Sequence, residues 1–255
     1  MSEKPFGIDV SQHQGNMDWE VVAAYSPKVC FAGIRAGISW GYVDKNFKYN
    51  WSEARKVGIA RTAYHVIYPD SPPQKQMESF VNLMDGDFGE LPPTIDAELT
   101  RDRGYAVIAS VLIQCLSLLE NMTGIRPMIY TRANWIDEHI TGPCNQPPSW
   151  LNAYDYWLAQ YLRRPEEHSG PPDLPRGVDR KRCIIHQTSE RGAPIGSEAR
   201  QQDYNRWQGD LDSFYAYANI LPAEENVEEP PPSELTLEER VTAIEEAARK
   251  QGWSV

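Results

Sequence analysis

The sequence predicts an α/β fold: a closed β/α barrel of about eight strands, followed by a short C-terminal helix. Three observations predict it. Short apolar segments alternate with helical or loop segments over about 215 residues, which implies a mainly parallel sheet with helices outside. No GxGxxG follows the first strand and no GxxxxGK[ST] occurs, so the competing doubly wound sheet lacks its nucleotide-binding signatures. Polar residues sit at the ends of nearly every predicted strand: Asp9, Arg35, Tyr64 with His65, Asp96 with Glu98, Tyr130, Gln160 with Tyr161, His186 with Gln187, and Asp203. A barrel brings such positions to one mouth, the face where barrel enzymes carry their reacting groups.

Taken in order, residues 6–10 read as a buried strand ending in a polar, Gly-containing loop. Residues 17–26 have helical spacing, and 28–37 form a second apolar strand with Arg35 near its end. In 44–59, Phe47, Trp51 and Ala54 recur at helical intervals, with Gly58 as the cap. Strand 61–69 stops at Pro69, and the prolines at 72–73 suit the first turn of a helix running to 84. The PTIDAE strand follows. Residues 105–124 form the longest apolar helix, closed by Gly124. Strand 126–131, a short helix 134–140, strands 156–161, 180–189 and 201–207, and a helix 211–219 complete the barrel.

The stretch PPTIDAEL, residues 92–99, carries the chemistry. If its end is extended, Asp96 and Glu98 point the same way with Cα atoms roughly 6–7 Å apart, while Ile95, Ala97 and Leu99 face the core. Two carboxylates so placed suit the flanking of one scissile glycosidic bond, which needs a proton donor and support for an oxocarbenium-like centre. Like charges crowded near Glu98 would raise its pKa and keep it protonated as that donor.

Composition narrows the function classes. The net charge of −11 argues against nucleic acid as a partner. No uninterrupted apolar run of about 18 residues occurs, so no membrane insertion is expected, and the N-terminus lacks a secretory pattern. Cys30, Cys115, Cys144 and Cys183 include no CxxC pair and read as free thiols; with no HExxH spacing, neither a metal nor any other cofactor is expected. Eight Trp and thirteen Tyr are a high aromatic load, suited to stacking on the apolar faces of sugars.

The segments FGIDVSQHQG, TAYHV, TIDAE, MIYT, YWLAQY and DYNRWQG, in that order, resemble glycoside hydrolase family 25, the N-acetylmuramidase lysozymes that include phage endolysins. The resemblance covers about residues 5–215. It implies a flattened barrel with fewer helices than the standard eight. It also implies hydrolysis of peptidoglycan glycan strands between N-acetylmuramic acid and N-acetylglucosamine. Carried over by position, Glu98 matches the general acid, Asp96 the carboxylate beside it, Asp9 the first-strand aspartate and Asp203 the aspartate near the last strand. Tyr64, Tyr130 and Tyr161 match groove aromatics, and Arg35, His65 and Gln187 join them as substrate-binding candidates; Trp40 is a further stacking candidate. The sequence departs from the family at His186, where Trp is common, and at IRAGISWG, where a Lys-containing form is usual. An endolysin-like chain without a secretory signal would wait in the host cytoplasm until release to the wall. The alternative reading is a phage structural or wall-binding component with little or no catalysis.

Residues 1–221 are therefore the catalytic barrel and 222–234, rich in Pro and Glu, a linker. Residues 235–255 read as an amphipathic helix: Thr236 and Glu239 form a capping box, and Leu237, Val241, Ile244 and Ala248 make an apolar stripe. That stripe is a candidate surface for self-association.

Overall fold

A computed structural model describes residues 4–142, 146–163 and 170–220. Cys144 and the linker and helix expected over 222–255 lie outside the described residues. Nine strands form among the described residues: β1 (Phe6–Val10), β2 (Val29–Ile38), β3 (Tyr42–Val43), β4 (Ala60–Val66), β5 (Thr94–Asp96), β6 (Met128–Thr131), β7 (Asp155–Ala159), β8 (Cys183–Gly192) and β9 (Gln202–Trp207). Eight of them close a barrel in the order β1, β2, β4, β5, β6, β7, β8, β9 and back to β1; β3 is a two-residue addition paired to the end of β2. The strands β1 through β8 in that ring are parallel, whereas β9 is antiparallel to both β8 and β1. Asp203 therefore stands near the start of its strand, and reaches the mouth because that strand is reversed.

The helices are α1 (Trp19–Ala23), α2 (Phe47–Lys56), α3 (Pro73–Met84), α4 (Tyr105–Thr123), α5 (Ala133–Ile136) and α6 (Leu211–Ala218). Among the described residues, α2, α3 and α4 are the crossover helices of ten or more residues between parallel strands, so the barrel is irregular, with fewer helices than the standard eight. Asp18 caps α1 by accepting from Val21 N at 3.1 Å. Gly124 ends α4 in the left-handed region, as its position predicts. By length and composition alone α4 would pass for a membrane span, although its apolar run is interrupted. Its Ile108, Leu112, Cys115, Leu116 and Leu119 are instead buried in the core, and it packs on α3.

Period-2 alternation divides the sheet into two apolar clusters. Phe6, Ile8, Ala32, Ile34, Ala63, Ile95, Ile129, Tyr156 and Leu158 face outward into the helix layer. Phe31, Met128, Tyr130, Trp157, Ile185 and Trp207 face inward. Trp157 crosses the interior beside Gly33, where a Cβ would overlap the indole. The aromatic contacts of α6 begin in this inner cluster: Phe214 lies 5.8 Å from Phe31 and 5.5 Å from Trp207. The barrel is therefore filled at its centre, and open space remains at the mouth.

Candidate active site

Because side chains alternate, the inward positions nearest the mouth are Asp9, Arg35, Tyr64, Asp96, Tyr130, Gln187 and Asp203. With Glu98 and Tyr161 from the following loops they line one cleft of about 370 Å³. Strand pairing sets them side by side: Arg35 opposite Tyr64, Asp96 between Val66 and Tyr130, and Asp9 opposite Asp203. The cleft thus contains all four expected acids and five of the six other site residues. The sixth, His65, is turned away. It is fully buried, stacks on Phe80 at 4.9 Å and contacts the carbonyl of Ser39, because it follows Tyr64 and so takes the opposite face of β4. Its burial pushes its pKa down to about 4. His186 is outward for the same reason and bonds the carbonyl of Gln160 at 2.7 Å, so its difference from the family pattern does not reshape the cleft.

β5 ends at Asp96, two residues before Glu98. The chain is nevertheless held beside β6: Ala97 N donates to the carbonyl of Tyr130 at 3.0 Å, and Thr131 Oγ1 donates to the carbonyl of Ala97 at 2.7 Å. Ala97 is buried and Glu98 projects into the cleft, whereas Leu99 is 37 % exposed rather than packed. The alternation lasts through Glu98 and ends there.

Asp9 is fixed by a relay across the barrel. Gln187 Nε2 and Asn205 Nδ2 donate to its Oδ2 at 2.9 and 2.8 Å. Gln187 in turn accepts from the Tyr130 hydroxyl at 2.8 Å, and Asn205 from Trp157 Nε1 at 2.7 Å. Burial pushes the Asp9 carboxyl up to about 6, with those donors holding it back. Asp203 is pushed up to about 9, by burial first and then by the charge and hydrogen bond of Asp9. The two face each other as an acid pair that retains a proton at neutral pH.

Asp96 is fully enclosed, and its Oδ1 has no hydrogen-bond partner. Burial raises its pKa well above the ordinary carboxylate value; Glu98 and Asp9 add to the rise, and Arg35 and Arg132 oppose it. Glu98 is also raised, by its own burial, with Arg132 opposing. Desolvation, rather than the crowding of like charges expected from sequence, is thus the leading cause at both acids.

Arg35 reaches the cleft from a fixed root. Its Nε donates to Asp44 Oδ2 at 2.9 Å, and the same oxygen accepts from Gln12 N at 2.9 Å. Arg132 sits over the Tyr161 ring at 5.4 Å. Arg132, Trp157, Asn205 and Glu190 are site residues that the sequence alone does not single out. Asn205 lies two residues from Asp203 on β9, Arg132 two from Tyr130 and Trp157 four from Tyr161; alternation gives their side but not their role.

The acids carry a stability cost with a definite sign. A carboxyl raised in the folded state stabilises the fold below its unfolded value, near 3.8, and that stability is lost as pH climbs through the folded value. For Asp9 and Asp203 the loss runs from about pH 4 to about pH 9. Asp203→Asn should therefore raise Tm at pH 8 by a few degrees, on the order of 1–2 kcal/mol, and change it little at pH 4. A lower Tm at pH 8 would contradict this electrostatic account.

The profile of the Glycosyl hydrolases family 25 matches residues 8–195, a span that holds Asp9, Asp96 and Glu98 and stops before Asp203. Lysozyme M1 of Streptomyces globisporus is 36% identical over 224 residues, covering 84% of this chain and 71% of that protein. The uncharacterized protein YegX of Escherichia coli K12 is 27% identical over 216 residues, covering 84% and 73%. The crystal structure of the lysozyme from Streptomyces coelicolor superposes with a TM-score of 0.71 at 23% identity, covering 86% of this chain and 99% of that one. The structure of a family 25 glycosyl hydrolase from Bacillus anthracis gives 0.64 at 24% identity, covering 85% of this chain and 94% of that one.

Proposed function

Since this chain belongs to the glycosyl hydrolases family 25, we infer that its cleft is that of a muramidase, a peptidoglycan hydrolase cutting the β-1,4 bond between N-acetylmuramic acid and N-acetylglucosamine. The observation that carries the assignment to this cleft is the convergence of Asp9, Asp96, Glu98 and Asp203, from three strands and a loop, in a single acid-lined opening. Nothing in the fold or the comparisons favours a non-catalytic wall anchor, which would have no use for buried acids held at a cost in stability.

The roles follow from position. Glu98, half-buried and projecting into the cleft from the loop after β5 with its pKa raised, is the proton donor to the leaving glycosidic oxygen. Asp96 Oδ1, buried and unpartnered, accepts the N–H of the substrate's 2-acetamido group. That contact turns the acetamido carbonyl oxygen toward the anomeric carbon, where it displaces the leaving sugar. Water then opens the cyclic intermediate, and Glu98, now a carboxylate, takes the water's proton. The Asp9–Asp203 pair flanks the reacting centre and holds its own proton in reserve. Tyr64 and Tyr130 remain neutral phenols, since burial raises both. Tyr161, more exposed, offers its ring to a sugar face at the rim.

The test is release of reducing ends from purified sacculi, followed with turbidity. The expected result is a parallel rise in reducing ends and fall in turbidity. Clearing of sacculi without new reducing ends, or no change in either, would overturn the assignment.

A further inference from the structure

A second hollow of about 300 Å³ lies beside the cleft, with Trp40, Tyr42, Tyr68 and Ser71 on its walls. Two links run from the cleft toward it. Arg35 lines the cleft and holds its guanidinium 5.9 Å from the Tyr42 ring. Val66 lines the cleft, and Tyr68, two residues further along the same chain, lines the hollow. Trp40 is 54 % exposed, the most exposed large hydrophobic side chain among the described residues. A lone surface aromatic needs no explanation; three aromatics around one hollow, near in the chain to residues that line the cleft, are a built surface.

The rim carries two cations, one of them paired. Lys75 Nζ stands 5.3 Å from the Trp40 ring centroid, and the Arg101 guanidinium, 4.4 Å from that of Tyr68, is neutralised by Asp70 at 3.3 Å. Arg101 follows Glu98 by three residues, so the loop that presents the proton donor also presents this cation. The cleft itself is lined by five acidic side chains, Asp9, Asp96, Glu98, Glu190 and Asp203, against two arginines, Arg35 and Arg132. An anionic substituent of the substrate is less favoured there than beside Lys75.

We propose that this hollow is a second glycan subsite, which takes a peptidoglycan repeat beyond the cleaved linkage, with the sugar ring on Trp40 and the anionic stem peptide against Lys75. The proposal rests on the muramidase reading and names a part of the substrate that the four acids do not touch. Its two halves make different demands. Stacking on Trp40 is indifferent to the peptide, whereas Lys75 serves the peptide alone.

The experiment measures binding by calorimetry on the full chain carrying Glu98→Gln, so that ligand is not consumed. The probes are soluble peptidoglycan oligomers of several repeats with stem peptides attached, and the same oligomers stripped of peptide. Trp40→Ala should weaken binding of both by about three- to tenfold, and Lys75→Gln should weaken only the peptide-bearing form, by about threefold. Affinities that ignore Trp40→Ala overturn the subsite. An equal loss for both probes with Lys75→Gln overturns the peptide contact. No binding of either probe by the parent chain overturns the subsite as well. Release of reducing ends by the unsubstituted chain is scored separately: oligomers bound but never cut would remove the muramidase reading and leave the subsite. Cutting with Trp40-independent affinity would remove the subsite alone.

Discussion

Glu98→Gln lowers kcat on purified sacculi by about a thousandfold, the middle of the range for a lost general acid, while binding changes little. The amide preserves shape and hydrogen-bonding capacity but has no proton to give, so the loss falls on the chemical step. The wild-type rate should also fall as pH rises through the Glu98 pKa, which burial places above the ordinary carboxylate value. The residual rate of the Glu98→Gln chain should lack that alkaline limb. Both outcomes are read from kcat against pH with the two chains side by side. Near-wild-type hydrolysis by Glu98→Gln would remove Glu98 from the donor role.

Asp96→Asn is the second large effect, with kcat falling by about a hundredfold or more, as when one preorganised group at a reacting centre is removed. The amide is nearly isosteric but turns an acceptor toward the substrate N–H into a mixed donor and acceptor. If Asp96 acts by orienting the 2-acetamido group, its contribution disappears when that group is absent. The wild-type chain should then lose activity on de-N-acetylated sacculi, and Asp96→Asn should cost little more on that substrate. The two losses are coupled because they remove one interaction from opposite sides. A direct nucleophile behaves otherwise: Asp96→Asn would cost the same on both substrates, and that result would replace the proposed role.

Much of the architecture can be read from alternation and punctuation. The eight ring strands fall on the apolar segments, and Gly124 ends α4 as its place in the sequence implies. Adjacent polar pairs are less legible. Tyr64 with His65, Gln160 with Tyr161 and His186 with Gln187 each have one residue in the cleft and one outside it, and pairing register decides which. Strand direction is also silent in composition, so the reversal of β9 emerges only from its pairing with β1 and β8. Arg61 shows the same limit. It reads as a polar strand start, yet it is 1 % exposed, held by Asp87 and Glu90 at 2.9 and 2.8 Å and lying 4.3 Å from the Trp51 ring. Those partners come from other elements, and no local pattern announces them. Within the site, the four acids are legible through the resemblance. Arg132 and Asn205 are not, because their meaning depends on the carboxylates they face.

The most direct test of the account is where oxygen from water enters the product. Sacculi digested in ¹⁸O-labelled water and analysed by mass spectrometry should carry the label at the reducing end of N-acetylmuramic acid, as hydrolysis of its glycosidic bond in this cleft requires. Label at the reducing end of N-acetylglucosamine, or in a carboxyl of the stem peptide, would contradict it.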